Sequence, residues 1–377
     1  MAAADLDALL REAAEAGASD IHVAVEVPPV LRVDGVLRRC ALPPVGVGEP
    51  EAVLARLASP EQVERLRQHG EVDFSYSLPG VGRFRVAAYR QRGSISLAMR
   101  PIPWKVPELA DLGAPEQVAA LARRTSGLVL VTGRAGSGKS TTAAAMVDLI
   151  NRERSAHVIT LEDPVEFLHR HRCSIVNQRE IGVDSAGFAQ ALRAAARSNP
   201  DVLAVGDLRD AETAALALTA AGTGQFVLAA VRQPDAVAAL EYIVGLFPGE
   251  QQAQVSWQLA AVLEGAIGQV LVRRVDGRGR VAAFEVLLAT PAVRTLVREG
   301  KRQQIPALVR AGARHGMRTL EASWLELCGR GICSPDVSPP FPPPERGAVR
   351  SSVGLGSAHE EGGAPGGLGL PGGMRHL

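Results

Sequence analysis

Gly133-Arg134-Ala135-Gly136-Ser137-Gly138-Lys139-Ser140 satisfy the pattern G-x-x-x-x-G-K-S. In that pattern the glycines let backbone N–H groups wrap an anion, Lys139 reaches the β and γ phosphates, and the Ser140 hydroxyl ligates Mg²⁺. The loop lies between an apolar run at 128–131 and a helix-forming stretch that Thr141 begins, so strand, loop and helix follow in the order phosphate binding requires. Lysine is scarce, confined to Lys105, Lys139 and Lys301, so its place here is not a by-product of composition. The chemistry is binding of a nucleoside triphosphate with Mg²⁺, through residues 133–141. Such a site needs a second acidic strand end to hold the metal or position water. The apolar run 202–206 ends at Asp207, and the strand at 158–161 leads into Glu162-Asp163-Pro164-Val165-Glu166. Three carboxylates at a strand C-terminus beside a phosphate loop stand where ligands gather in open α/β sheets.

These residues need a sheet to hold them. Strands at 127–132, 157–161, 202–206 and 226–231 alternate with helices at 139–153, 187–198, 210–221 and 235–246, the signature of a parallel sheet covered on both faces. Residues 1–105 read as a separate α+β unit: helices at 5–16 and 60–68, and β-rich stretches at 21–27, 31–37 and 72–100 with turns at Asp34-Gly35 and Pro79-Gly80. Pro101, Pro103 and Pro107 make a stiff linker running to about 110. Beyond about 250 the pattern is mostly helical, with one hairpin around residues 276–279. The motor unit thus covers 111–333, and 334–377, rich in Pro and Gly, reads as a disordered tail.

The 377 residues suit about two domains. Lys plus Arg (41) balance Asp plus Glu (40), so no basic field argues for nucleic acid as a partner. Cys40, Cys173, Cys328 and Cys333 lack C-x-x-C spacing, which fits neither a secreted disulfide framework nor a four-thiolate zinc site and points to a reducing cytoplasm. The uncharged stretch 214–231 is interrupted by Gly222-Thr223-Gly224-Gln225 and reads as helix, turn and buried strand rather than a membrane span.

From 9 to 331 the chain resembles the twitching-motility, PilT-like branch of the type II and type IV secretion ATPase superfamily. The resemblance rests on Gly17-Ala18-Ser19-Asp20-Ile21-His22, Arg83-Phe84-Arg85-Val86, Arg100-Pro101-Ile102-Pro103, the phosphate loop, Glu162-Asp163-Pro164-Val165-Glu166, Asn177-Gln178-Arg179-Glu180, Gly206-Asp207-Leu208-Arg209-Asp210 and Ala292-Val293-Arg294-Thr295-Leu296-Val297-Arg298-Glu299. It implies an α/β fold with a RecA-like P-loop motor domain preceded by a smaller PAS-like domain. It further implies a homo-hexameric ring with ATP between the domains, and a cytoplasmic location at the inner face of the membrane. The partners it implies are an inner-membrane pilus platform protein and a paralogous ATPase. By the same resemblance Glu166 and Glu162 order metal and water with Ser140 and Asp207, and Arg83, Arg85 and Arg100 close over the nucleotide. The resemblance implies that the helix 292–300 couples hydrolysis to retraction, and helical spacing lets Arg294, Arg298 and Glu299 face outward.

Three residues depart from the family pattern. Where the family has Gly-Glu, this chain has Gly206-Asp207, a carboxylate shorter by one bond, roughly 1.5 Å. Where it has two histidines, this chain has Gln225 and Arg232. Arg232 can contact a γ-phosphate but cannot share a proton as a neutral imidazole does. His157, His169 and His171, near the aspartate box, read as strand-edge or surface residues without catalytic duty. Two readings stay open: a retraction ATPase with weakened hydrolysis, and a hydrolysis-deficient subunit that regulates an active one. On this reading Asp207→Glu and Arg232→His have separable effects on turnover.

Overall fold

The computed structural model describes residues 3–334 except Asp34, Pro103, Trp104 and Arg278. The expected tail from 335 onward, Asp34 of the first turn, the Pro103-Trp104 centre of the linker and Arg278 of the late hairpin turn lie outside the described residues.

The first unit opens with α1 (Ala3–Glu15), followed by β1 (Asp20–Val23), β2 (Val30–Val33) and β3 (Val36–Arg39). Helices α2 (Glu49–Leu57) and α3 (Pro60–His69) precede a meander of β4 (Glu71–Leu78), β5 (Gly82–Gln91) and β6 (Ser94–Ile102). All six strands pair antiparallel in the order β3-β2-β1-β6-β5-β4. Leu6, Leu9 and Leu10 of α1 pack with Ile21, Phe84, Val86 and Leu97 in one core, which places the arginines alternating with them on the opposite face of β5. The strand expected over 21–27 stops at Val23, because Glu26 takes a left-handed φ of 69° and Pro28-Pro29 donate no ladder bonds. The run 31–37 likewise breaks into two strands at Gly35, whose φ is 81°. Helix α2 was not expected.

The second unit follows α4 (Glu116–Ala122) and alternates strand with helix: β7 (Gly127–Thr132), α5 (Lys139–Glu153), β8 (His157–Glu162), β9 (Ile175–Glu180), α6 (Phe188–Ala196), β10 (Val202–Val205), α7 (Ala211–Gly222), β11 (Phe226–Val231) and α8 (Ala236–Gly245). After α9 (Gly249–Val262) come β12 (Leu263–Arg273), β13 (Arg280–Leu288), α10 (Pro291–Arg298), α11 (Ile305–Ala311) and α12 (Leu320–Gly329). The strand order is β13-β12-β7-β11-β10-β8-β9. Every residue of β7 and β11 is buried. Their side chains alternate between two cores: Leu128, Leu130, Val227 and Ala229 pack toward α7, α8 and α9, while Val129, Val131, Phe226 and Leu228 pack toward α5. At about 1.5–3 kcal/mol for each fully buried large aliphatic side chain, these two strands anchor the sheet.

The expectation of a parallel sheet needs correction at one edge. The hairpin expected around 276–279 forms, and its arms, the eleven-residue β12 and the nine-residue β13, add an antiparallel pair to the sheet. Gly265 and Gly268 mask the strand in the sequence, and they are there because the sheet closes on them. A Cβ on Gly265 would lie 2.7 Å from the Leu287 carbonyl oxygen, and one on Gly268 would lie 2.5 Å from Glu285 Oε2. The parallel ladders are in register, with Val205 opposite Leu161 and Ala229, and Val231 opposite Thr132. The strand ends that lead into the phosphate loop, the aspartate box, Asp207 and Arg232 therefore emerge side by side. Residues 214–231 fold as the helix, turn and strand expected, and no helix among the described residues is long and apolar enough to cross a membrane.

Candidate nucleotide-binding site

The loop between β7 and α5 is built around glycines in the left-handed backbone region that side chains rarely adopt. Gly138 adopts φ 89° as the N-cap of α5, and Gly136 has φ 73°. Lys139 donates from Nζ to the carbonyls of Gly133 (2.7 Å) and Arg134 (2.9 Å), bracing the loop across its own mouth. Burial lowers the Lys139 pKa, as does Arg232, while Asp207 and Glu166 oppose the shift. The four charges thus feel one another. Arg134, Ala135 and Gly136 are exposed, leaving the loop open to a ligand, and Thr141 continues the first turn of α5. Thr132 Oγ1 donates to the Gln233 carbonyl at 2.7 Å, tying β7 to the segment that carries Arg232.

The structure sorts the candidate carboxylates into two groups. Ser140 donates from Oγ to Glu166 Oε1 at 3.0 Å, so the hydroxyl and carboxylate expected to share a metal already touch. Glu162 faces the same cleft, where its Oε1 accepts from Thr160 Oγ1 (2.6 Å) and Gln178 Nε2 (3.0 Å). Burial raises its pKa against those two bonds. His169 lines this cleft too, and burial pushes its pKa down to about 4, which keeps the imidazole neutral near pH 7. His157 bonds the Asn177 side-chain amide and the Ser198 carbonyl, and His171 accepts from Val176 N; the last two contacts brace backbone.

Asp207 belongs to the other group. It is buried just beyond β10, and Oδ2 lies 3.1 Å from Nε of Arg232 just beyond β11. Burial raises the Asp207 pKa, opposed by Arg232, Arg209 and Lys139. Two of the three departures from the family pattern, Asp207 and Arg232, are therefore partners in one ion pair. Arg209 is held by Asp163 (3.4 Å) and stacks 5.0 Å from the Phe188 ring centre. Gln225, at the other departed position, precedes β11, at the end of the strand opposite Arg232, so it stands away from the phosphate loop.

The three arginines of the first unit share a face but not a partner. Arg85 stands directly opposite Arg100 across the β5–β6 ladder, yet Arg100 is held by Asp20 at 2.7 Å and Arg85 lies 4.0 Å from Asp73. Arg85 does line a cleft with Asp163 and Pro164 of the aspartate box. Arg83 reaches across to Glu180 at the end of β9, Nη2 to Oε2 3.2 Å. The structure thus does not gather the three over the phosphate loop. Glu180 was missed as a functional residue, although it closes the quoted Asn177-Gln178-Arg179-Glu180 motif. It is 3% exposed; Oε1 accepts from Ser75 Oγ at 2.6 Å, and Oε2 accepts from both Arg83 and Val165 N. One carboxylate joins β4 and β5 to the backbone next to Glu166. A second missed carboxylate, Glu285, accepts from Ala236 N at 2.7 Å at the start of the helix after Arg232, and burial pushes its pKa up to about 7.

Breaking a buried ion pair by removing one partner costs about 3–5 kcal/mol, less here because Arg83 keeps part of its side chain in water. Glu180→Ala is expected to lower the melting temperature by several degrees, and Arg83→Ala by less. The double variant should fall short of the sum, because both changes remove one contact. Melts of the three variants that add in full would show that the pair contributes nothing.

Arg294 also departs from expectation. It does not face outward but donates to the carbonyls of Ala260, Ala261 and Ala289 and to Glu264 Oε1 (2.7 Å), capping the C-terminus of α9. Val293 and Val297 are buried, while Arg298 and Glu299 remain exposed.

Three comparisons bear on this site. The family model described as type II/IV secretion system protein matches residues 2–305. The type IV pilus retraction ATPase PilT of Pseudomonas aeruginosa is 41% identical over 330 residues, covering 88% of this chain and 96% of that protein. The type IV pilus ATPase PilU of the same organism is 35% identical over 327 residues, covering 87% and 86%. The crystal structure of the pilus retraction motor PilT with bound ADP aligns with a TM-score of 0.79 at 42% identity, over 87% of this chain and 94% of that one. The fold is accordingly α/β, a RecA-like P-loop motor preceded by a smaller PAS-like unit.

Proposed function

The chain belongs to the type II/IV secretion system protein family, in its PilT-like branch, and from that premise we propose that it is an ATP-binding motor of a type IV pilus or related secretion machine. It works as a homo-hexamer that couples ATP hydrolysis to pilus retraction. The observation that carries the reading is the phosphate loop at the end of β7, with Ser140 bonded to Glu166 and Lys139 free to exchange two carbonyls for phosphate oxygens. We assign residues 1–105 to the first domain, with a linker to about 110, 111–333 to the motor and 334–377 to a tail. The partners are further copies of this chain, an inner-membrane platform protein and a paralogous ATPase, at the inner face of the cytoplasmic membrane.

Backbone N–H groups of 133–141 and Lys139 bind the phosphates. Ser140, Glu166 and Asp207 present hard oxygen donors suited to Mg²⁺, which would neutralise phosphate charge when bound. Among the described residues there is no cluster of three or more His, Cys, Asp or Glu side chains that could hold a metal. Glu166 and Glu162 stand in the cleft beside Ser140 and orient water there. Arg83 and Arg85, beside the aspartate box, couple the two domains.

One observation favours a second reading, a nucleotide-binding accessory subunit with little turnover of its own. The Asp207 carboxylate, one bond short, is already engaged by Arg232. Loss of a general base typically costs about 10²- to 10⁴-fold in rate. Phosphate release by the purified chain, alone and mixed with a PilT-like paralogue, separates the readings. Turnover of at least about 1 s⁻¹ alone, in the usual enzyme range, supports the motor. Release a hundredfold lower that changes only the paralogue's rate supports the accessory subunit. No effect in either assay sinks both.

A further inference from the structure

The phosphate loop rests on a side chain from the neighbouring strand, β12. In the β12–β7 ladder Gly268 stands opposite Thr132, so Gln269 is the first residue of β12 to run past the end of β7, alongside the loop. Its side chain is 3% exposed. Thr142, fully buried on the first turn of α5, donates from Oγ1 to Gln269 Oε1 at 2.6 Å. A helical threonine ordinarily turns its hydroxyl back onto the carbonyl four residues earlier. Here the Gly138 carbonyl is left to its backbone partner, Thr142 N, at 3.0 Å, and the hydroxyl reaches sideways instead.

Both framing glycines of the loop close on the same residue. A Cβ on Gly138 would lie 2.7 Å from Gln269 Nε2, and one on Gly133 would lie 2.5 Å from the Gln269 carbonyl oxygen. The loop thus lies directly on Gln269 at its first and last glycine. We propose that Gln269 is a positioning residue for the phosphate loop: its amide, fixed by Thr142, sets the height of the loop backbone, so that affinity for a nucleoside triphosphate depends on a side chain that meets no phosphate. The proposal rests on the nucleotide-binding reading above. Its physical basis is preorganisation, since N–H groups held in place need no reordering when the phosphates arrive.

The test uses the full chain, a fluorescent ATP analogue and thermal melts. Gln269→Leu removes the acceptor at similar volume, Thr142→Val removes the donor isosterically, and Thr142→Ser restores it. Ile267→Val, a core change on the same strand, serves as the packing control. Gln269→Leu and Thr142→Val should each weaken binding about tenfold, the double variant no further, and Thr142→Ser should bind like the unmodified chain. Ile267→Val should lower the melting temperature and leave affinity unchanged. Affinity within twofold of the unmodified chain for Thr142→Val overturns the proposal even where Gln269→Leu does not fold. So does a double variant whose loss is the product of the two single losses. Failure of the unmodified chain to bind the analogue would instead sink the nucleotide-binding reading itself.

Discussion

Replacement of Lys139 by alanine is expected to remove ATP binding almost entirely. The ammonium donates to two loop carbonyls and is the cation the motif assigns to the β and γ phosphates. Each hydrogen bond to a charged group contributes about 1.5–3 kcal/mol, so loss of two weakens binding by roughly 10²- to 10⁴-fold. The same change releases the carbonyls of buried Gly133 and exposed Arg134 but removes no core packing, so the fold should survive. Titration with a fluorescent ATP analogue reads the affinity and a melt reads the fold. A folded Lys139→Ala protein that binds within threefold of the unmodified chain would place the nucleotide elsewhere.

The second large effect concerns Asp207 and Arg232. Since the two are ion-paired at 3.1 Å, changing either alone leaves the other fault in place. Asp207→Glu lengthens a carboxylate that Arg232 still holds. Arg232→His frees a carboxylate that is still short. The double variant should raise phosphate release by about 10²-fold over the unmodified chain, well beyond the product of the single effects, with ATP affinity little changed. Arg232 is 62% exposed, so its side of the pair is screened by solvent and its exchange should cost little stability. Single effects that multiply to the double effect would mean that the ion pair does not govern turnover. An unmodified chain already as fast as the double variant would leave Glu166, bonded to Ser140, as the working carboxylate and dismiss the accessory reading.

Much of the fold was legible because its signals are local. The six buried residues of β7, the loop glycines and the first turn of α5 are contiguous, and β8, β10 and β11 each carry their own buried run. The β12–β13 hairpin was legible at its turn, residues 276–279, but the length of its first arm was not, because Gly265 and Gly268 look like helix or turn residues until β13 is known to press against them. Arg294 showed only a charge at a helical spacing that allows exposure; the carbonyl ends of α9 that claim it lie more than thirty residues earlier.

From sequence alone came the phosphate loop, its partner carboxylates, the strand–helix alternation and the family branch. Backbone conformation and the wrapping of an anion by consecutive N–H groups depend on neighbours in the chain, so they can be read there. Which charge answers which was decided only by the tertiary structure. Strand order brings β10 beside β11, so Asp207 meets Arg232, while Glu166 folds back onto Ser140 and Glu180 is claimed by Ser75 and Arg83 about a hundred residues away. A buried carboxylate must find a donor wherever packing leaves one, and packing is set by the whole sheet rather than by the residues on either side.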